Sequence, residues 1–186
     1  RRRCLSVLAK TRVFGVPQTP ASGFHRFPSR LLKEMRTLAI DLGARRVGLA
    51  LSDAGGRWAT PHDVLNVSDP AQAVAPILKL VHEEDVQQLV VGLPLNMDGT
   101  TGPAARKTIE WATGLAASAA RSLGPLKIIF VDERLSSFEA EQQLTDRKRA
   151  GEKLTRKRKK EQLDAIAAAG FLQAFLDGKL APIDLP

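Results

Sequence analysis

Two apolar runs separated by a short charged tip most strongly constrain the fold of this chain. The segment RTLAIDLGARRVGLALSD, residues 36–53, contains the arms TLAIDL and VGLALSD, which are rich in Leu, Ile, Val and Ala. This pattern predicts an antiparallel β-hairpin. Asp41 interrupts the first arm, and an isolated carboxylate beside an apolar sheet is costly. Asp41 therefore requires a partner, which is an opposite charge, a hydrogen-bond donor or a metal ion.

After the hairpin, the chain alternates between strand-like and helix-like segments. Asp69 and Pro70 have the residue types of a helix start, although Pro76 is able to bend or break that helix. Ser136 and Glu139 have the spacing of a capping box at the start of another helix. The remaining predicted elements are a strand near residues 64–67, buried strands in VQQLVVGL and LKIIFVDE, a helix over residues 104–123, and a helix in KKEQLDAIAAAGFLQAFLDG. This order predicts a single-domain α/β fold, in which helices cover a mixed sheet.

The first 34 residues differ in composition from the rest of the chain. They hold eight basic residues against Glu34 alone, and they mix Arg, Ser, Pro and Gly without periodicity. We predict that residues 1–34 are a basic flexible extension or an organellar targeting segment, and that residues 35–186 form the folded domain. The alternative is that Met35 is the biological start of the protein.

Two further features bear on the compartment. The chain has one cysteine, and it contains no apolar run that approaches the length of a membrane helix, about 20 residues. These features predict a soluble protein in a reducing compartment. We expect the cytoplasm, or an organellar matrix if residues 1–34 are a targeting segment.

A second basic segment lies inside the predicted domain. Residues 35–186 carry 20 basic and 19 acidic residues, yet nine of the basic ones fall in RKRAGEKLTRKRKK, residues 147–160. We call residues 147–160 the basic run. Such a concentration favours contact with the phosphates of a polyanion, and the alternative is a solvated run of charge.

Three acidic residues share an unusual setting, because each interrupts an apolar pattern. Asp41 lies in the first strand, Glu133 ends LKIIFVDE, and Asp164 shares a helical row with apolar residues. Carboxylates that meet at one end of a sheet repel each other unless cations neutralise them. Hard oxygen ligands suit Mg²⁺ or Mn²⁺, and two such ions about 4 Å apart can promote phosphodiester cleavage.

Each acid also fits a purely structural role when it is taken singly. Asp41 is able to hydrogen-bond the hairpin backbone, and Glu133 is able to pair with Arg134 or Arg45. Asp164 is able to serve an early helical turn. The residue pattern alone leaves the structural and metal-binding alternatives open.

Four segments occur in a fixed order and together span nearly all of residues 36–178. They are IDLGARRVGLALSD, VVGLPLNMDGTTGPAA, VDERLSSFEAE and KRKKEQLDAIAAAGFLQAFLD. They resemble the signature blocks of the YqgF/RuvX family of Holliday-junction resolvases and precursor small-subunit ribosomal RNA nucleases. The resemblance implies a ribonuclease-H-like fold, with a five-stranded mixed β-sheet flanked by α-helices. It also places the catalytic and metal-binding acids on Asp41, Glu133 and Asp164, and it implies dependence on Mg²⁺ or Mn²⁺ and a nucleic-acid substrate.

The same resemblance suggests residues that contact the substrate. It places the loop over residues 92–99 beside the site, where Asn96 is expected to contact a phosphate. The other predicted nucleic-acid contacts are basic residues of the hairpin tip, of the segment after Glu133 and of the basic run: Arg45, Arg46, Arg134, Lys153, Arg156, Lys157, Arg158, Lys159 and Lys160. Phe138, Trp58 and Trp111 are predicted to be packing residues, because no aromatic residue interleaves the basic run.

The leading hypothesis is a metal-dependent endonuclease that processes the 5′ end of precursor 16S ribosomal RNA. The first alternative is a Holliday junction resolvase that cleaves branched DNA, and the second is a module that binds structured nucleic acid with little catalysis. An ATPase of the actin and sugar-kinase type is disfavoured, because such enzymes close two related lobes around the nucleotide. The oligomeric state is expected to be monomer or homodimer, since only junction cleavage requires two aligned sites.

Overall fold

The computed structural model of the chain describes residues 35–133 and 156–184. Within these residues, five strands form one sheet in the order β3-β2-β1-β4-β5. The strands are β1 (Thr37–Leu42), β2 (Arg46–Ser52), β3 (Ala59–Asn66), β4 (Gln88–Leu93) and β5 (Lys127–Asp132). The helices of the described part are α1 (Val74–Glu83), α2 (Pro103–Ser122) and α3 (Arg156–Leu176). The five-stranded mixed sheet flanked by helices, which the family resemblance implies for a ribonuclease-H-like fold, is confirmed.

The first three strands form an antiparallel meander, and the other two strands extend the sheet in parallel. β1 pairs with β2 in the predicted hairpin, and Asp41 lies opposite Gly48. β1 then pairs with β4 in parallel, and β4 pairs with β5 in the same direction. The carboxyl ends of β1, β4 and β5 therefore lie at the same edge of the sheet. Asp41 and Glu133 both belong to that edge.

Apolar side chains cover both faces of the sheet. One core packs α1 and α2 against residues such as Leu38, Leu49 and Val91. The other core packs α3 against smaller residues, which include Ala39 and Ala50. The near-continuous burial of β2 and β4 fits strands that are covered on both sides.

Several element boundaries differ from the predicted ones. Asp69 is an N-cap as predicted, and its side chain accepts a hydrogen bond from the amide of Ala71, but it caps a short 3-10 helix that leads into α1. Pro76 neither ends nor breaks α1, because it lies in the first turn, where the amide of a residue has no intrahelical partner. β3 begins at Ala59, earlier than predicted, because pairing with β2 extends along its whole length.

The last helix begins at Arg156 rather than at Lys159, so the end of the basic run is helical. Gly178 follows this helix with a φ of 72°, which agrees with its predicted role in closing it. The helix predicted to begin at Ser136 lies outside the described residues. Within residues 35–133 and 156–184, no helix combines the length and the apolar character needed to cross a membrane.

Candidate active site

The alternation of side chains along each strand places two of the predicted acids on the same face of the sheet. Ala39 and Val131 belong to the core beneath α3, and Asp41 and Glu133 each follow one of them by two residues. Because strand side chains alternate between faces, Asp41 and Glu133 lie on the α3 side. Asp132 lies on the opposite side, which it shares with Phe130.

The third acid reaches this face from α3, which crosses β2 at very short range. A Cβ atom built on Gly48 would overlap the backbone carbonyl of Asp164. The glycine therefore allows the helix to lie directly on the strand, and it does so opposite Asp41. Asp164 is thereby placed next to the strand that carries Asp41.

Asp164 is bonded to a residue of the hairpin. The Nε–H of Arg46 donates a hydrogen bond to Oδ2 of Asp164, and the two side chains form an ion pair. Both are only partly exposed, at 30% for Arg46 and 20% for Asp164. Partial burial strengthens such a pair relative to one in open solvent. The guanidinium therefore neutralises one of the three predicted acids.

A second glycine makes room for Glu133. A Cβ atom built on Gly92 would lie 2.8 Å from Oε2 of Glu133 and 3.1 Å from the ring of Phe171. The Glu133 side chain therefore lies over β4, between β5 and β1 in the strand order. This direction turns the carboxylate towards Asp41.

The electrostatics agree with this arrangement. Burial raises the pKa of Asp41 to about 6; the charge of Asp164 adds to this effect, and the charge of Arg46 opposes it. Burial likewise raises the pKa of Glu133 to about 7, with additional contributions from Asp41 and Asp132. Asp41 thus lies within electrostatic range of both other acids. The structure therefore places Asp41 near Asp164 and also near Glu133.

An open cleft adjoins this cluster at the hairpin tip. Its volume is about 190 Å³, and its lining combines two acids and two basic residues with small side chains: Asp41, Gly43, Ala44, Arg45, Arg46 and Asp164. Since a water molecule takes about 30 Å³ in the liquid, the cleft has room for a cation with several waters or for a phosphate group. Anionic and cationic groups therefore face the same small volume.

Carboxylate oxygens fit a hard divalent cation. Among the residues that the structure describes, however, no three acidic, His or Cys side chains stand together as a ready metal cage. Asp164 is bonded to Arg46 instead. A metal ion held by all three acids would use Oδ1 of Asp164, or would require Asp164 to leave that guanidinium.

The other predicted contacts are spread more widely. Arg45 and Arg46 line the cleft, whereas Asn96 is exposed and its side-chain amide donates to Oγ1 of Thr100 within its own loop. Arg134, Lys153 and Phe138 lie outside the described residues. The structure describes the residues that end the basic run only as backbone of a helix: Arg156, Lys157, Arg158, Lys159 and Lys160.

The prediction that both tryptophans are packing residues is half correct. Trp111 packs against the core beneath α1 and α2, and its Nε1–H donates to the carbonyl of Pro70 at 2.9 Å. Trp58 is 68% exposed, so the prediction is wrong for this residue. The reason is its position in the turn between β2 and β3, where the side chain points away from both cores.

Sequence reasoning did not identify the close contacts at Gly48 and Gly92, and it did not identify the partner of Asp164. A glycine inside a strand signals close approach by another group, and Gly48 lies inside VGLALSD. That signal, together with the hairpin register, was sufficient to place Gly48 beside Asp41. The Arg46–Asp164 pair had no comparable signal, because its members are 118 residues apart in sequence.

Comparisons with known proteins identify relatives that match most of the chain. The family model described as "RuvX: Holliday junction resolvase" matches residues 35–178. A "Putative pre-16S rRNA nuclease" of Syntrophomonas wolfei subsp. wolfei is 41% identical over 144 residues, which cover 77% of this chain and 95% of the relative. A protein of the same name from Anaeromyxobacter dehalogenans is 43% identical over 143 residues, covering 77% and 97%.

Solved structures are more distant. RuvC of T. thermophilus in complex with a Holliday junction is 18% identical, with a TM-score of 0.49 over 80% of this chain and 99% of that one. The family match covers most of the chain, and the two relatives described above exceed 40% identity over nearly their whole length. The chain therefore belongs to the RuvX Holliday junction resolvase family.

Proposed function

We propose that the chain is a metal-dependent endonuclease that processes the 5′ end of precursor 16S ribosomal RNA. The observation that supports this proposal is the proximity of Asp41, on β1, both to Asp164 of α3 and to Glu133, which follows β5. Three separate elements deliver carboxylates to one edge of one sheet, although their mutual repulsion is unfavourable for the fold. Such an arrangement is typical of a functional site.

The three acids are the proposed ligands of Mg²⁺ or Mn²⁺. When bound, such an ion would activate a water and stabilise the leaving oxygen in phosphodiester hydrolysis. The chain itself supplies the hard oxygen donors and the cationic groups beside them. Arg45 and Arg46 line the same cleft as Asp41, where they are suited to contact a substrate phosphate.

The choice of substrate rests on the relatives. The curated relatives carry the name of a pre-16S rRNA nuclease, and they match this chain over nearly their full length. Cleavage of a Holliday junction is the second candidate, because the matching family model carries that description. Both reactions hydrolyse a phosphodiester bond, so the same acids serve either one.

The location of the protein and the role of its first 34 residues also belong to this proposal. We propose that the nuclease domain spans residues 35–186 and acts in the cytoplasm, or in an organellar matrix if residues 1–34 direct it there. A trimming reaction requires one active site, so a monomer is sufficient for it.

The test compares substrates with the purified chain. Precursor 16S RNA with its 5′ extension, a four-way DNA junction and linear duplex controls are incubated with Mg²⁺, with Mn²⁺ or with a chelator. We expect metal-dependent shortening of the RNA at its 5′ end. Cleavage of the junction alone would favour the second candidate, and binding without cleavage of any substrate would identify a binding module.

A further inference from the structure

We propose that Trp58 and Arg57, in the turn between β2 and β3, bind an unpaired nucleotide of the substrate. The base would stack on the indole of Trp58, and the guanidinium of Arg57 would contact the adjacent phosphate. This inference rests on the proposed function, because it assigns a second contact to the same nucleic-acid substrate. It places that contact away from the acidic site.

The exposure of both side chains is the first argument. The indole of Trp58 is 68% exposed, and the side chain of Arg57 is 71% exposed. A large apolar ring left in water forgoes the stabilisation that burial would give. Base stacking on an exposed aromatic ring recovers part of this energy when substrate binds.

The backbone of this turn is held in place, which is the second argument. Oδ1 of Asp53 accepts hydrogen bonds from the amides of Arg57 at 2.6 Å and Trp58 at 2.9 Å. The amide of Asp53 donates to the carbonyl of Trp58 at 2.9 Å. A turn fixed in this way presents its side chains with little loss of backbone entropy on binding.

The turn is also anchored to α3. The Nε2 of Gln173 donates to the carbonyl of Arg57 at 3.0 Å, and its Oε1 accepts from the amide of Ala59 at 2.9 Å. One glutamine thus holds the residues on both sides of Trp58. The position of Trp58 is therefore coupled to the helix that carries Asp164.

The spacing of Asp164 and Gln173 along α3 suits a nucleic-acid strand, which is the third argument. Gln173 lies nine residues after Asp164 on α3, which corresponds to about 13 Å along the helix at about 1.5 Å per residue. At about 3.4 Å per stacked nucleotide, this span is roughly four nucleotides. A strand that runs along α3 from the acids would reach the turn bound by Gln173 a few nucleotides away.

Charge favours a nucleic acid over an apolar protein partner. Asp53 forms an ion pair with Arg57, but their charged groups are 3.8 Å apart and both are partly in solvent. An exposed ion pair of this kind contributes little to stability, so the guanidinium remains available to a phosphate. An aromatic ring beside an available guanidinium matches the base and phosphate of one nucleotide.

Intrinsic fluorescence tests this proposal directly, because the chain has two tryptophans and no tyrosine. A 12-nucleotide single-stranded RNA with a dye at one end is titrated into the full chain in chelator, while dye anisotropy reports binding and indole emission reports stacking. We expect wild type and Trp111→Phe to be quenched at saturation, and Trp58→Phe not to be quenched. Trp58→Ala should weaken binding about tenfold, and the control Leu123→Ala, at another exposed apolar residue, should not.

Each other outcome overturns the inference. RNA binding by anisotropy without quenching of wild type would refute the stacking role and leave the proposed function intact. Absence of any binding of this RNA would refute the inference, whereas the proposed function fails only if precursor 16S RNA is also not cleaved with Mg²⁺ or Mn²⁺. Quenching that grows with protein concentration without RNA, together with a doubled mass, would instead identify a second copy of the chain as the occupant. If Trp111→Phe fails to fold, the comparison of wild type with Trp58→Phe alone decides the question.

Discussion

At the scale of single residues, the ionised acids of the site lower the free energy of unfolding when no cation is bound. Asp41 and Glu133 are half-buried on the same face of the sheet, and the charge of Asp41 adds to the raised pKa of Glu133. Arg46, which is bonded to Asp164, carries a positive charge that partly offsets the raised pKa of Asp41. Residues that reduce stability but remain in a site are expected to serve its chemistry.

This cost predicts the pH dependence of stability in chelator. The pKa of Asp41 is raised from 3.8 to about 6, and the pKa of Glu133 is raised from 4.5 to about 7. Between pH 4 and pH 7 the folded state therefore binds more protons than the unfolded state, so the free energy of unfolding falls as pH rises. Chemical denaturation at several pH values measures this slope.

Glu133→Gln should flatten that slope and stabilise the metal-free protein at pH 8 by about 1–3 kcal/mol. Glu110→Gln, on the exposed side of α2, is the matched control and should leave the profile unchanged. A wild-type protein that becomes more stable as pH rises from 4 to 7 would be inconsistent with this account.

The sequence was sufficient to find the acids but not their partner. Asp41 and Glu133 were identifiable because each interrupts an apolar strand, and the family resemblance selected Glu133 rather than its neighbour Asp132. The bond between Arg46 and Asp164 depends on where α3 crosses β2, which no local pattern encodes. Sequence reasoning therefore assigned Arg46 to nucleic acid without its carboxylate partner.

At the scale of elements, the contact of α3 with β2 positions the site. Gly48 permits this contact because a side chain there would overlap the backbone of Asp164. The small residues Ala39 and Ala50 line the same face of the sheet. The helix therefore lies close enough to the sheet for Asp164 to approach Asp41.

We expect Gly48→Ala to destabilise the protein by about 1–3 kcal/mol, because the helix must move away from the strand. Cleavage should fall as well, since Asp164 moves with the helix. Gly114→Ala is the control, because Gly114 lies on the exposed side of α2 with open space around it. That change should stabilise the protein by about 0.5–1 kcal/mol through helix propensity. Equal effects of the two substitutions would argue against a close helix contact at Gly48.

The basic run permits a second prediction at this scale. Replacement of Arg156, Lys157 and Arg158 by Gln should weaken RNA binding for all sequences and lower its salt dependence, because fewer counterions are released. Binding is measured at several salt concentrations. The control replaces Lys79, Lys107 and Arg121 by Gln, three exposed residues of α1 and α2. An unchanged salt slope in the first variant would support a solvated run of charge.

Most elements were predictable because hydrophobic periodicity and the residues that begin or end helices and turns are local signals in the sequence. The hairpin, the buried β4 and the start at Asp69 follow from such signals. The length of β3 was not predictable, because its exposed first half is stabilised by pairing with β2 rather than by its own apolar pattern. α1 continues past Pro76 because the 3-10 helix occupies the preceding residues, so that Pro76 falls in the first turn of α1. No local signal in the sequence predicted this 3-10 helix.

At the scale of the whole molecule, the described residues place two cores around one sheet. The family match begins at residue 35, which is also the first residue that the structure describes. We expect a protein that starts at Met35 to fold and to cleave substrate as the full chain does. Circular dichroism, thermal unfolding and cleavage assays compare the two forms. Loss of soluble or active protein would show that residues 1–34 contribute to the folded domain.

The central claim is that Asp41, Glu133 and Asp164 act together in metal-dependent cleavage, and four substitutions test it most directly. Asp41→Asn, Glu133→Gln, Asp164→Asn and the control Asp132→Asn preserve side-chain size while removing a negative charge. Cleavage of precursor 16S RNA is measured at several Mg²⁺ and Mn²⁺ concentrations, with folding and RNA binding checked in parallel. The account predicts that the first three variants fold and bind RNA but lose cleavage about a hundredfold or more, whereas Asp132→Asn, on the opposite face of the sheet, retains most activity. Full activity of Glu133→Gln, or an equally inactive Asp132→Asn, would contradict it.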